Sequence, residues 1–358
     1  MQKQHSIYSL IFTFISMFYY SIVCAQIEQK NKFKIQGYGE MYYSESFPNF
    51  ETSEKPDFIF NHKKNNSLSV NLAFIKASYT KQNFRSTISM MFGDYSRYNL
   101  QNEPNWAKPI LEANAGFKIS KTKNIWIDAG VLPSHIGFES AISTDCHTLT
   151  RSILAENSPY FETGLKITYT SKSETFYGSV LIVNGWQKIE TSKFTKHPAL
   201  GFQLNFKPST FLTLNYSNFF GTEKADSLHS FRLFHNLYAI YEPNKKISCI
   251  SGLDIGTDKY NKSKYGVWFS PVIILRYKPK DKISVALREE YYSDPNQLMI
   301  ITNTKNGFQT FGTSINFDFQ IANNFLWRIE GKSYLARDTI FNNSNTLNII
   351  TSSIAIKI

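Results

Sequence analysis

The chain has 358 residues with 39 Lys and Arg against 28 Asp and Glu, a formal charge of +11, yet only 19 % of its residues are charged and 16 % are aromatic. Beyond the first 25 positions no apolar run approaches the about 18 residues that a membrane-spanning helix needs, which excludes a helical membrane protein. The three cysteines have no second Cys or paired His at ligand spacing, which excludes a zinc-stapled module.

Residues 1–25 read as an export leader: Lys3 stands in a short basic region, Leu10 to Val23 form an apolar stretch, and Val23-Cys24-Ala25 offers cleavage after Ala25. A lipoprotein box wants a small residue where Val23 stands, so lipid attachment at Cys24 is the weaker reading. Residues 26–358 contain no linker, helical domain or low-complexity block and are expected to form one domain. Cys146 falls in a predicted loop and Cys249 in a predicted strand, so two free thiols are expected.

Period-two alternation and turn residues predict strands near Phe33 to Ser44, Ser67 to Thr80, Phe84 to Asp94, Ile110 to Ser120 and Asn124 to Leu132. Further strands are expected near Tyr160 to Thr170, Thr175 to Trp186, Ala199 to Phe206, Thr210 to Phe220, Phe231 to Tyr241 and Ile247 to Thr257. The series ends with Lys264 to Tyr277, Ile283 to Ser293, Gly307 to Ile321, Phe325 to Ala336 and Thr346 to Ile358. That makes about sixteen, within a range of fourteen to eighteen. The connections alternate. Tight turns at 81–83, 121–123, 171–173, 207–209, 243–245, 278–281 and 322–324 are rich in Lys, Pro, Asn and Ser. Longer loops at 45–66, 95–109, 133–159, 187–198 and 294–306 fall between them. Short turns on one side and long loops on the other predict an all-β fold, a transmembrane antiparallel up-and-down β-barrel of the outer membrane, with the turns and both termini in the periplasm.

The alternation also assigns faces. Phe325, Trp327 and Ile329 share one side while Arg328, Glu330 and Lys332 share the other, and only the first can meet hydrocarbon, because Arg or Lys at mid-bilayer costs about 2–4 kcal/mol. By the same split Cys249 is an outward apolar residue. The candidate pore wall sets Arg85, Lys118, Lys166, Arg276, Arg288, Arg328 and Lys332 against Glu40, Glu112, Asp128, Asp254, Glu290 and Glu330. Opposed charges largely cancel, so weak ionic selectivity is expected. Most of the surplus positive charge lies in Lys-rich turns, as at Lys121, Lys123, Lys245, Lys246, Lys278 and Lys280, where it suits anionic lipid headgroups of the outer membrane better than nucleic acid. Tyr38, Trp126, Trp268 and Tyr334 face inward as wall filling or as a track for sugar rings. The last strand stays apolar on alternate residues, Ile354, Ile356 and Ile358, without the terminal aromatic common in such barrels.

The connection between Pro133 and Pro159 is long enough to be functional or disordered. Ile142, Leu149, Ile153 and Leu154, with Ser143 or Thr144 as N-cap, predict one short helix within it. Folded inward, this third long loop would narrow the pore, with Glu139, Asp145, Arg151 and Glu156 setting the constriction; the alternative is a plain surface cap. The run Thr148-Leu149-Thr150-Arg151-Ser152-Ile153-Leu154-Ala155-Glu156-Asn157-Ser158-Pro159-Tyr160, followed by Glu162-Thr163-Gly164, resembles the segment carried by the OmpL-like β-barrel porins of Gram-negative outer membranes. Gly130 to Gly137 resembles the approach to that segment. The resemblance implies a pore-forming barrel over the mature chain and supplies a class rather than a substrate.

An enzyme reading has little to stand on. His135, Glu139, Asp145 and His147 lack the spacing of a metal motif such as His-Glu-x-x-His. A Ser-His-Asn acyl hydrolase needs its members on one barrel face, whereas His235 and Asn236 point to opposite faces, and no nucleophile elbow is present. The expectation is a porin passing small hydrophilic solutes, with no chemical step and no cofactor, as a monomer or a homo-oligomer. A plugged structural or adhesive barrel and an outer-membrane lipid-acting enzyme are the competing classes.

Overall fold

The computed structural model describes residues 32–50, 53–191, 197–222, 224, 230–261 and 264–358. The expected leader and Cys24 lie outside them. Sixteen strands form one closed antiparallel barrel in chain order. The first eight are β1 (Lys32–Phe47), β2 (Ser69–Lys81), β3 (Phe84–Phe92), β4 (Ile110–Lys118), β5 (Asn124–Pro133), β6 (Phe161–Thr170), β7 (Phe176–Val183) and β8 (Ala199–Ser209). The rest are β9 (Leu212–Gly221), β10 (Arg232–Asn244), β11 (Ile247–Asn261), β12 (Lys264–Lys280), β13 (Ile283–Asp294), β14 (Phe308–Ala322), β15 (Phe325–Ala336) and β16 (Thr346–Lys357). β1 pairs with both β2 and β16, and Gly37 and Ile358 exchange both backbone hydrogen bonds at 2.8 Å, so no sheet edge is left open.

Three turns reverse later than the sequence suggested. β8, β10 and β12 run on to Ser209, Asn244 and Lys280, and the chain turns at 210–211, 245–246 and 281–282. In each strand the pairing skips two residues just before the turn, between Phe206 and Ser209, Tyr241 and Asn244, and Tyr277 and Lys280. Pro208, Pro243 and Pro279 occupy these skipped positions. A residue without an N–H is tolerated in a strand only where no ladder bond is due, so the prolines sit in bulges rather than in the turns themselves. The β11–β12 connection breaks the long-loop pattern, since only residues 262–263 separate the two strands.

Outward side chains form an apolar belt between two aromatic rings. Phe220 stacks with Phe231 and Phe269 lies against Tyr291 toward the loop end, while Phe211–Tyr241 and Phe319–Trp327 pair toward the turn end. Between them Ile75, Ile88, Leu165, Ile182, Leu237 and Ile315 are exposed, as a lipid-facing wall requires. Polar pairs on the outward face are satisfied within the wall: the Thr313 hydroxyl donates to Glu289 (2.7 Å) and Tyr216 meets His235 (2.8 Å). Cys249 is outward and half-buried, and both described cysteines are free.

Candidate functional site: the lumen and its folded-in segment

Residues 134–160 between β5 and β6 lie inside the barrel. The wall that receives them is β13–β15, whose inward residues are Arg288 and Glu290 on β13 and Arg328, Glu330 and Lys332 on β15. Between them β14 offers only Gly312, Ser314, Asn316 and Asp318. A Cβ on Gly312 would stand 2.8 Å from the Glu290 side chain, so glycine there leaves room for charges to meet across the strand. Arg288 reaches Glu330 (2.8 Å) and Lys332 reaches Glu290 (3.1 Å).

The same groups clamp the segment. Thr150 and Ile153 N–H groups donate to Glu330 and Glu290, each at 2.5 Å, and the Leu149 N–H donates to Asn316 (3.0 Å). Arg288 donates to the Thr150 carbonyl (2.6 Å), Lys332 to that of Arg151 (2.8 Å), and Arg328 to those of Ser143 (2.5 Å) and Cys146 (3.2 Å). From β1, Glu40 accepts from Ser143 (2.5 Å). Backbone groups that would be orphaned in a lumen are thus paired with polar side chains of the wall, most of them Arg, Lys or Glu. Because wall groups take up the backbone of residues 149–151, the helix is shorter and later than predicted. It is the single turn α1 (Ile153–Glu156), capped by Ser152 rather than Ser143 or Thr144, with Ile142 and Leu149 outside it.

The four residues expected at the constriction have different surroundings. The Glu139 side chain is 2 % exposed, accepts from the Ser152 N–H (3.1 Å) and lies 3.7 Å from Arg288, and burial pushes its carboxyl up. Arg151 is wholly buried and donates to the carbonyls of Ser140 (2.5 Å), Leu149 (2.7 Å) and Ala141 (3.0 Å), pinning the segment to itself. Glu156 is buried and accepts from Phe60 and Asn61 of the β1–β2 loop at 2.9 and 3.1 Å. Only Asp145 presents an exposed side chain. It pairs with Lys357 (2.8 Å), which places the tip of the segment near the turn end.

Other loops fill the loop-end half of the lumen. Phe58 and Ile59 from the β1–β2 loop, Ile153, Trp186, Ile300 and Phe341 pack with inward Phe219, Phe234, Trp268 and Tyr334. Tyr38, Trp126, Trp268 and Tyr334 are all buried, so each fills the wall. Lys55 is buried with its ammonium on the His62 carbonyl (2.6 Å), and burial lowers its pKa to about 7. His135 bridges Glu162 (2.8 Å) and the Asn218 carbonyl (2.7 Å); its ring occupies the space a Cβ on Gly201 would need, 2.7 Å away.

The β2–β6 wall toward the turn end is different. Lys76, Arg85, Glu112, Lys118 and Lys166 point inward and stay part-exposed. Lys76 pairs with Glu112, Arg85 forms a two-pronged pair with Asp128, and Arg85 stacks 4.4 Å over Trp126. Lys76 was missed in the sequence because β2 is apolar on both faces, with Leu72 and Phe74 inside and Ala73 and Ile75 outside. Opposite, Asp254 is buried and bonded to Asn236 (2.6 Å), while Arg276 pairs with Glu242 (3.4 Å) beside a cavity of about 140 Å³. That cavity is lined in part by Glu139, Asp145, Cys146 and His147. His147 bonds Ser248 (2.7 Å), and burial together with Arg276 and Arg328 lowers its pKa to about 3. Among the described residues, no three His, Cys, Asp or Glu side chains stand together as a metal site.

A family model described as "Putative beta-barrel porin-2, OmpL-like" matches residues 32–357. The chain belongs to this OmpL-like porin family. The porin is accordingly an outer-membrane channel protein of a non-enzymatic class. Among solved structures it is similar to the anion-selective porin from Comamonas acidovorans, with a TM-score of 0.62 at 6 % identity, covering 92 % of this chain and 100 % of that one. The outer-membrane channel DcaP of Acinetobacter baumannii gives 0.60 at 8 % identity, covering 92 % and 98 %. The trimer form of OmpT from Vibrio cholerae gives 0.58 at 9 % identity, covering 92 % and 100 %. At these identities the likeness establishes the barrel fold. No curated protein matches the porin in sequence.

Proposed function

We propose that the porin lets small hydrophilic solutes diffuse passively across the outer membrane, along the part-exposed β2–β6 side of the lumen. Segment 134–160 serves as the constriction, and the thirteen inward charges named from the sequence act as its pore wall and clamp. The observation that carries this reading is the docking of the segment on β13–β15, which covers one wall while inward side chains of the other stay part-exposed. Export through a leader cleaved after Ala25 and assembly into a homo-oligomer complete the proposal. The trimer form of the Vibrio cholerae OmpT supports that last point. Intact mass of the secreted protein and native mass of the refolded barrel test these two parts.

The deciding experiment is single-channel recording from the purified, refolded protein in planar bilayers. Discrete steps are expected, and deletion of Ser140 to Ser152 should enlarge them. Unchanged steps with an intact barrel would remove the constriction role. The apolar packing of five loops at the loop end favours a second reading, a barrel plugged at rest that serves as a structural surface protein. Silence from folded, heat-modifiable protein would select it.

A further inference from the structure

We infer that the passage of this porin prefers small anions, of the class of chloride, inorganic phosphate and short carboxylates, and that Lys118 and Lys166 set the preference. The inference rests on the channel reading above and adds the solute class to it.

Counted whole, the inward charges named from the sequence are nearly balanced. The docked segment changes which of them a solute meets. Arg288, Glu290, Arg328, Glu330 and Lys332 are at most 6 % exposed beneath it, and Glu40 and Asp254 are buried as well, at 1 % and 2 %. Four carboxylates and three cations are thereby withdrawn, so the remainder leans positive. On the wetted β2–β6 wall stand Lys76, Arg85, Lys118 and Lys166 with only Glu112 and Asp128. Glu162, the other carboxylate of that wall, is fully buried against His135.

The pairing sharpens the imbalance. Glu112 is held by Lys76 and Asp128 by Arg85. Lys118 and Lys166 have no ion-pair partner among the described residues. They flank β5, where the register sets Lys118 beside Trp126 and Lys166 beside Asp128, whose carboxylate is already engaged by Arg85, so two ammonium groups outside any ion pair face the same stretch of passage. Like charge in a narrow polar channel with low-dielectric walls concentrates counter-ions, and Lys or Arg groups lining a pore select for anions.

The test is the reversal potential of single channels of the full mature porin under a KCl gradient. The expected sign is that of chloride passing several-fold more readily than potassium. The double substitution Lys118→Gln/Lys166→Gln should bring the potential close to zero while discrete steps persist, and Glu112→Gln should move it further toward chloride. Should the double variant not refold, the single variants are each expected to give an intermediate shift. A wild-type potential at zero or of cation sign overturns the inference with the channel intact, and so does a double variant that matches wild type. Absence of steps from folded barrel removes the channel reading itself, and the anion preference with it.

Discussion

His147 marks the deepest reach of the folded-in segment on the β11 side, with Arg276, Arg328 and Lys278 around it. An imidazole held to about 3 when docked regains its ordinary value near 6.5 once released. The contribution of His147 to docking is therefore fully present above about 6.5 and is lost as pH falls toward 3. Glu139, in the same cavity and pushed up by burial, acts in the opposite sense, while Asp145 and Glu242 also line it. Single-channel current should grow as pH is lowered from 6.5 to 4 in the wild type, and this growth should vanish in His147→Gln, where the ring no longer titrates. Arg151 supplies a second prediction. Its fork satisfies three carbonyls at once, which a lysine cannot reproduce, so both Arg151→Ala and Arg151→Lys should loosen the segment. Limited proteolysis within residues 134–160 should accelerate in both variants, and equal resistance in Arg151→Lys would show that charge alone suffices.

At the scale of the element, sequence and structure agree where the physics is local. All sixteen strands fall within a few residues of their predicted positions, because one face of each must be apolar and the period of two is fixed by the pleat. The turns at 207–209, 243–245 and 278–281 were placed early because Pro was read as turn punctuation, whereas here it marks bulges. The connection between Pro133 and Pro159 announced itself by its length and by the run Thr148 to Tyr160. Its helix was misplaced because helical spacing of Ile142, Leu149 and Leu154 says nothing of the Asn316, Glu330 and Arg288 groups, more than a hundred residues away, that bind the backbone of residues 149–150 out of a helix. For the same reason, alternation could assign Glu290 and Glu330 to the inner face but could not tell that loop backbone covers them.

Across the whole molecule, the two faces of the wall should respond oppositely to the same substitution. Leu165 is outward and exposed between the aromatic rings, while Gln203 is inward and part-exposed on β8. Leu165→Arg should lower the folding free energy in phosphocholine vesicles by about 2–4 kcal/mol. Gln203→Arg, facing water, should leave it nearly unchanged. Denaturant titration of both variants checks this, and equal losses would contradict the lipid-facing assignment of β6.

The two described cysteines give the barrel an internal clock. Cys146 is buried under the docked segment, bonded within 140–146, and burial pushes its thiol up, so in the docked state it is neither reachable nor reactive. Cys249 stands outward opposite Tyr241, at the level of the turn-end aromatic ring, so a Cys249→Ser background removes it from the readout. A water-soluble thiol probe added to folded Cys249→Ser protein in a bilayer then has one thiol among the described residues to modify, the Cys146 Sγ, and reaches it only during the moments when the segment lifts from β13–β15. At saturating reagent the labelling rate becomes the lifting rate itself, a gating frequency measured with no current flowing.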